Sequence, residues 1–405
     1  MDARAEIGRR IARQRRRRGL SQAALAQLVG RSESWLSQVE RGLRSIDSHS
    51  LLVQLAEILG VDISQLTPSE TGTETVKYEP VAGIREAMTR YGALPGVINA
   101  RTNGGRRPSL RWLRHEVRRA NSLYQAARYD DAGRLLPGLI DAAEEARASC
   151  PAAERRTADA LRALVYHSVT MTLSRVGEPE LAWAAADRSV AAAEVAERPV
   201  LAAVSAYRLG YVLIGLKHAS RAEDLVLRAA EALAGSSRRA KPPALSVRGG
   251  LYLAAATAAA ARFDRATTDR HLRTARGIAE QIGQDRNDFW SAFGPTNVVI
   301  HEVSAAVAFG DAKLALSRGE PLDVQRLGPG LRGRRAQVLL DLARAYGQQR
   351  KDAAAVHTLL KAERVSPELI RYDARTNALL TELVRREHRA STPELRGLAR
   401  RAGVV

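Results

Sequence analysis

The 405-residue chain contains one cysteine, four phenylalanines and four tryptophans, and only six of its 63 basic residues are lysine. The single cysteine, Cys150, excludes an intramolecular disulfide framework and any zinc or iron–sulfur site built on cysteines, and it reads as a small buried hydrophobe. Long apolar runs are also missing. The longest, Leu251 to Ala261, is bracketed by Arg248 and Arg262. It is shorter than the roughly 18 residues of a membrane-spanning helix. Met1 to Arg18 holds eight arginines and no apolar segment of the kind a secretory signal needs. The expectation is a soluble, cytoplasmic protein with no membrane partner.

Hydrophobic content of 45% and charged content of 26% are those of a folded chain. The length allows two to four domains, or one small domain plus a repeat array. The formal net charge is +19. Because arginine and alanine enrichment can follow genome composition, the position of the charge says more than its sum. Residues 1–44 carry eleven arginines against Asp2, Glu6, Glu33 and Glu40, a local net of +7. That clustering is an electrostatic footprint for nucleic acid.

Along the chain, residues 5–66 read as five short helices. Ile7, Ile11, Leu20, Leu25, Val29, Leu36, Val39, Leu52, Leu55, Leu59 and Val61 recur at spacings of three and four, and Gly19, Gly30, Gly42 and Gly60 mark helix ends. Ser21 and Ser32 stand where N-caps belong. From Thr67 to Pro108 the pattern breaks into Thr, Ser, Gly and Pro, as expected of a linker, with one short helix possible at Ile84–Met88. From Ser109 to Arg389 the pattern is helical throughout. Short polar turns place Ala132, Ala182, Ala222, Ala266, Ala312 and Ala354 at intervals of 50, 40, 44, 46 and 42 residues. Such spacing predicts stacked pairs of antiparallel helices around a concave groove, with a closing helix near Ala374–Arg389. The predicted organisation is therefore 1–66, 67–108, 109–389 and a tail, 390–405.

Gly19 to Gly42, which runs through Gln22-Ala23-Ala24-Leu25, Gly30-Arg31-Ser32 and Val39-Glu40-Arg41-Gly42, resembles the helix-turn-helix of the Cro/C1 (Xre) family. The resemblance spans about residues 5–66. It implies an all-α chain: a five-helix DNA-binding domain followed by a solenoid of tetratricopeptide-like helix pairs. In such a domain Gln22–Val29 crosses the DNA backbone and Glu33–Arg41 enters the major groove by its N-terminal end. Leu36 and Val39 then point inward against Leu25, which leaves Glu33, Ser34, Trp35, Ser37 and Gln38 on the outer face. By resemblance Gln22 anchors the backbone, Ser32 is the N-cap, and Glu33, Ser34 and Gln38 read bases. Gln38 can pair with adenine in a bidentate way, and Glu33 can accept from cytosine. Arg31, Arg41 and Arg44 flank the helix within reach of phosphates. Trp35 replaces the small residue common there, and either touches the DNA or packs on the preceding helix. Arg15 and Glu40 match a buried ion pair of structural role. The partners so implied are a double-stranded DNA operator, an inverted repeat, and a second copy of the chain.

Residues 109–389 are similar to the helical-repeat regions of actinobacterial regulators of the same type. Leu181–Arg188, Phe293–Val298 and Leu340–Tyr346 carry that similarity. In architecture the chain also resembles the peptide-sensing quorum regulators of Gram-positive bacteria, which clamp a peptide with several asparagines. Here the repeats hold only Asn121, Asn287, Asn297 and Asn377.

Phe289, Trp290, Phe293 and Phe309 fall within 21 residues of one another, and the Asp288–Pro295 segment breaks the repeat just ahead of Asn297 and His301. Aromatic rings beside an amide and an imidazole at i,i+4 suit a small-molecule pocket. They also suit the filling of a gap where one repeat is irregular. Tyr207 and Tyr211 line the same groove or pack in the core.

His115-Glu116 and His301-Glu302 begin like metalloprotease motifs, but the position four after each histidine is Arg119 or Ala305. No P-loop, dinucleotide fingerprint or nucleophile elbow occurs. The expectation is a non-enzymatic protein without cofactor or metal. Two functions fit: a transcriptional regulator whose array binds a small-molecule or peptide effector, or a DNA-bound scaffold whose array recruits a protein.

Overall fold

The computed structural model describes residues 3–46, 49–59, 61, 66, 78–90, 108–235, 241–323, 327–328, 330–388 and 390–405. Among them every regular element is a helix. The chain divides into two compact units, Met1–Glu74 and Thr75–Val405.

The first unit contains α1 (Ala3–Arg17), α2 (Gln22–Leu28), α3 (Glu33–Glu40) and α4 (His49–Leu59). The fifth helix expected before residue 66 lies outside the described residues, apart from a fully buried Leu66. Ser21 accepts from the Ala24 amide at 3.0 Å and Ser32 from the Trp35 amide at 3.2 Å, so each cap satisfies an amide the helix leaves open. Between the two helices Gly30 sits at φ 65°, a backbone conformation that glycine adopts without a Cβ clash. Ile11, Leu25, Leu36, Val39 and Leu55 form the interior. Gly8 lets α1 come close to α3: a Cβ there would stand 2.1 Å from the Val39 carbonyl oxygen.

The second unit opens on α5 (Val81–Thr89), whose Ile84, Ala87 and Met88 are buried. Residues 67–77 and 91–107 of the expected linker lie outside the described residues. Six helix pairs follow: α6 (Leu110–Gln125) with α7 (Tyr129–Ser149), α8 (Arg155–Arg175) with α9 (Pro179–Val195), α10 (Pro199–Gly215) with α11 (Ala219–Gly235), α12 (Pro242–Ala261) with α13 (Arg265–Ile282), α14 (Pro295–Ala308) with α15 (Ala312–Gly319), and α16 (Arg332–Gln348) with α17 (Asp352–Val365). Each pair turns at one left-handed residue, with φ from 58° to 86°: Ala127, Gly177, Lys217, Phe263, Gly310 and Arg350. Those are the polar turns that the alanine spacing marks. α18 (Pro367–Tyr372), α19 (Ala374–Arg385) and α20 (Leu395–Arg401) complete the chain. α20 stands where a tail was expected, because Leu395, Leu398 and Ala399 are buried and the helix packs on α19. Cys150 is buried, as its reading as a small hydrophobe requires.

The first helices of successive pairs (α6, α8, α10, α12, α14, α16) touch one another, and α16 also touches α6. The row of inner helices thus closes on itself. The closure is held by Tyr372 Oη donating to Asp130 Oδ1 at 2.9 Å and by the Asp130 amide donating to Glu368 Oε2 at 2.9 Å. Tyr78 and Tyr372 stack edge to face there at 5.5 Å. Among the described residues α12 alone has the length and apolar composition of a membrane span, and most of it is buried inside the array.

Candidate functional site

In the first unit α3 presents exposed Glu33 and Ser34 at its N-terminal turn and half-buried Ser37 and Gln38 one turn later. Arg31, Arg41 and Arg44 are exposed around it. Trp35 departs from the outward position expected of it. It is only 9% exposed and packs with Leu25, Leu36 and Val39, because the helix turn that buries Leu36 and Val39 carries the neighbouring indole inward as well. Its ring still meets Arg31, whose Cζ lies 5.8 Å from the ring centre. Trp35 therefore stiffens the presenting helix from beneath.

Behind α3 lies a buried ion pair. Arg15 Nε and Nη2 donate to Glu40 Oε1 and Oε2 at 2.6 and 2.9 Å, and Arg15 Nη1 donates to the Leu20 carbonyl at 2.8 Å. Gln22 Nε2 adds a third donor to Glu40 at 2.7 Å, so the glutamine expected to anchor the DNA backbone is itself tied to α3. The hydrogen bond to Glu40 raises the Arg15 guanidinium above its ordinary value and keeps it charged.

Beside this network Arg9, Arg13, Arg16 and Arg17 of α1 join Gln22 and Arg41 in lining a basic hollow of about 560 Å³. Arg13, Arg16 and Arg17 are exposed. The charge of residues 1–44 includes them without placing them; their spacing of three and four residues along α1 is the signal that puts them on one face.

In the second unit the seven candidate ligand residues separate. Phe293 is fully buried, its ring lying over Gly249, so it is a core residue. Tyr207 is also buried, stacks edge to face on Tyr211 at 5.2 Å and lies over Gly250. Phe289 and Trp290 are half-buried and line a cavity of about 230 Å³ with Arg114, Arg118 and Arg198. Asn297 and His301 are not in the lining of that cavity; Asn297 Oδ1 and His301 Nε2 are buried without a hydrogen-bond partner.

The loop between α13 and α14 holds Phe289, Trp290 and Ala292 at φ of 50°, 56° and 52°. Left-handed backbone at non-glycine residues costs about 1–2 kcal/mol each, and such strain gathers at sites of function. The loop is tied down from both sides. Arg208 Nη2 donates to the Phe289 and Trp290 carbonyls at 3.1 and 3.2 Å, and Gln125 and Asn287 exchange two bonds of 2.9 Å.

Two histidines of the inner helices are held neutral. Burial, then the charge of Arg208, pushes the His167 imidazole down to about 3, and burial with Arg334 does the same to His301. His167 Nε2 also lies 2.8 Å from Ser205 Oγ. In the unfolded chain each returns to its ordinary value near 6.5. The unfolded state therefore binds protons that the folded state refuses. Stability is complete above pH 6.5 and falls as the pH drops toward 3, by about 1.4 kcal/mol per pH unit for each histidine. Thermal melts between pH 7 and 5 should show a shallower fall for His167→Asn than for the parent. Equal slopes would mean that this imidazole titrates freely.

No curated protein matches the chain. Among solved structures it is similar to PlcR of Bacillus thuringiensis, crystallised in complex with the peptide PapR7 and DNA; the identity is 12% and the TM-score 0.30, over 69% of this chain and 96% of that one. Residues 6–67 match the family of helix-turn-helix domains. The N-terminal unit of this chain carries a helix-turn-helix domain.

Proposed function

We propose that the chain is a sequence-specific transcriptional regulator of the Cro/C1 (Xre) type, acting as a homodimer on an inverted repeat, with an effector-binding helical array. The observation that carries the DNA-binding part is the polar edge of α3, exposed at Glu33 and Ser34 and half-buried at Ser37 and Gln38, flanked by exposed arginines and braced from behind by Arg15, Glu40 and Gln22. A dimer places two such helices one helical turn of DNA apart or a multiple of it. Gln38 and Glu33 read base edges, Ser34 and Ser37 support them, and Arg31, Arg41, Arg44 and the α1 arginines meet phosphates.

The test is binding-site selection followed by salt titration. Gln38→Ala should lose about 1–3 kcal/mol of discrimination at one base pair. Arg13→Ala, Arg41→Ala or Arg44→Ala should flatten the dependence of log K on log salt by about 0.9 for each phosphate no longer neutralised. Unchanged preference in the first variant together with parental slopes in the others would overturn this docking.

The effector reading draws support from the closed row of inner helices and the strained aromatic loop that crosses between Gln125 and Arg208. A row of inner helices that closes on itself suits a small ligand better than a broad protein partner, whose docking would need an exposed apolar patch. Ligand binding there would shift the array between two arrangements by its differential affinity, a coupling of about 1–3 kcal/mol.

A further inference from the structure

The inner helices bring together cations that the sequence disperses over 160 residues. Arg208 on α10 is 8% exposed and lies over the Tyr207 ring at 4.9 Å. Its Nη2 reaches the Trp290 carbonyl, to which Gln125 Nε2 also donates at 3.4 Å. Gly333 at the start of α16 faces Gln125 and Tyr129, and the charge of the next residue, Arg334, reaches Arg208, Tyr124, Tyr211 and His301. Neither Arg208 nor Arg334 has a carboxylate within salt-bridge distance among the described residues. Arg175, on α8, is bonded to Gln337 at 3.3 Å. Tyr124 and Tyr129 act on it most strongly, and Asp373, the carboxylate that also acts on it, is itself paired with Arg344 at 2.5 Å.

Three guanidinium groups, those of Arg175, Arg208 and Arg334, therefore act on one hydroxyl, that of Tyr124. Burial alone would raise Tyr124, yet the charges of Arg175, Arg208 and Arg334 outweigh burial and leave it below its ordinary value. Arg208 is pushed down by burial, and Arg334 adds to the shift. Buried charges of one sign are costly unless a counter-charge arrives. One turn before His301, which the charge of Arg334 reaches, Asn297 is 1% exposed and its Oδ1 has no partner among the described residues.

We infer that the array binds a small organic anion, its carboxylate or phosphate taken between Arg208 and Arg334, with its apolar part against Tyr211. Planar guanidinium groups suit both anions through paired N–H donors. Asn297, one turn before His301 on α14, would accept from a ligand hydroxyl or amide. This inference rests on the effector reading above and names the ligand's class.

The experiment melts the full-length protein in inorganic phosphate and, separately, in benzoate, each against sodium chloride of equal ionic strength. The parent should gain about 2–4 °C in at least one arm. The responding arm tells phosphate from carboxylate. Arg334→Met should raise the basal Tm, because it relieves repulsion from Arg208, and should abolish the anion's gain; Arg334→Lys should restore part of it. A structural arginine would behave oppositely, its loss lowering Tm.

No gain in either arm beyond the chloride control, or an equal gain in Arg334→Met, overturns the inference. Operator affinity measured with the same probe separates it from the reading beneath. An anion that stabilises through Arg334 but leaves DNA affinity unchanged upholds the site and removes its role as effector site. A neutral metabolite retained in native mass spectrometry, with no response to either anion, does the reverse.

Discussion

Glu40→Leu is expected to destabilise the first unit by about 3–5 kcal/mol, the usual cost of leaving one partner of a buried ion pair without the other. Arg15 cannot escape by deprotonating: its guanidinium is always charged, and the hydrogen bond to Glu40 holds it further in that state. Glu40 is 9% exposed and accepts three hydrogen bonds, from Arg15 Nε and Nη2 and from Gln22 Nε2, so its loss orphans donors on α1 and α2 at once. The double variant Arg15→Met/Glu40→Leu should recover most of the loss, since it leaves no uncompensated charge in an apolar site of similar volume. Circular-dichroism melts of both variants decide the matter. A single variant costing less than about 1 kcal/mol, or a double variant no better than the single, would show that the pair is solvated. The consequence for DNA follows from position. The network spans α1, α2 and α3, so the single variant should lose operator affinity across all sequences, whereas Gln38→Ala should lose preference at one base pair.

The first unit was legible because its elements depend on local signals. Serines cap two helices, glycines end them, and apolar spacings of three and four define one inner face. The same logic failed at Trp35. A residue adjacent to Leu36 sits about 100° round the helix, at the margin between inward and outward faces, and bulk decided for the interior. In the array the turn residues and alanine spacing revealed the pairs, because each pair needs one left-handed residue and close helix approach. What the sequence did not reveal was closure. Asp130, Glu368 and Tyr372 meet across more than 230 residues of chain, and no periodicity marks such a contact. Closure in turn brings the charge of Arg334 to Arg208, so the cation cluster could not be read from a composition in which arginine is everywhere. The aromatic segment, by contrast, was visible by its rarity, but rarity does not say which ring faces a ligand.

Phe293 and Trp290, three residues apart in that segment, should separate sharply when each is replaced by alanine. Phe293 is fully buried among Leu253, Leu272, Ile278 and Val298, and its removal should cost about 3–5 kcal/mol. Trp290 is half-buried on the loop, so its loss should cost less and show instead in the response to a bound anion. Gly249 supplies an independent check on the ring. A Cβ built there would stand 1.9 Å from Phe293 Cζ, so Gly249→Ala should overpack the site and cost about 1–3 kcal/mol. The double variant Gly249→Ala/Phe293→Ala should then be less destabilised than the sum of the singles, because removing the ring removes the clash. Melting all three variants reads the coupling directly. Strict additivity would mean that the ring does not rest on Gly249, and a Phe293→Ala melt like that of the parent would return Phe293 to the ligand-facing side. If the coupling is found, Phe293 anchors the end of a strained loop whose preceding residues present the Trp290 carbonyl to Arg208 and Gln125, and the same double variant should free that loop and weaken the anion response with it.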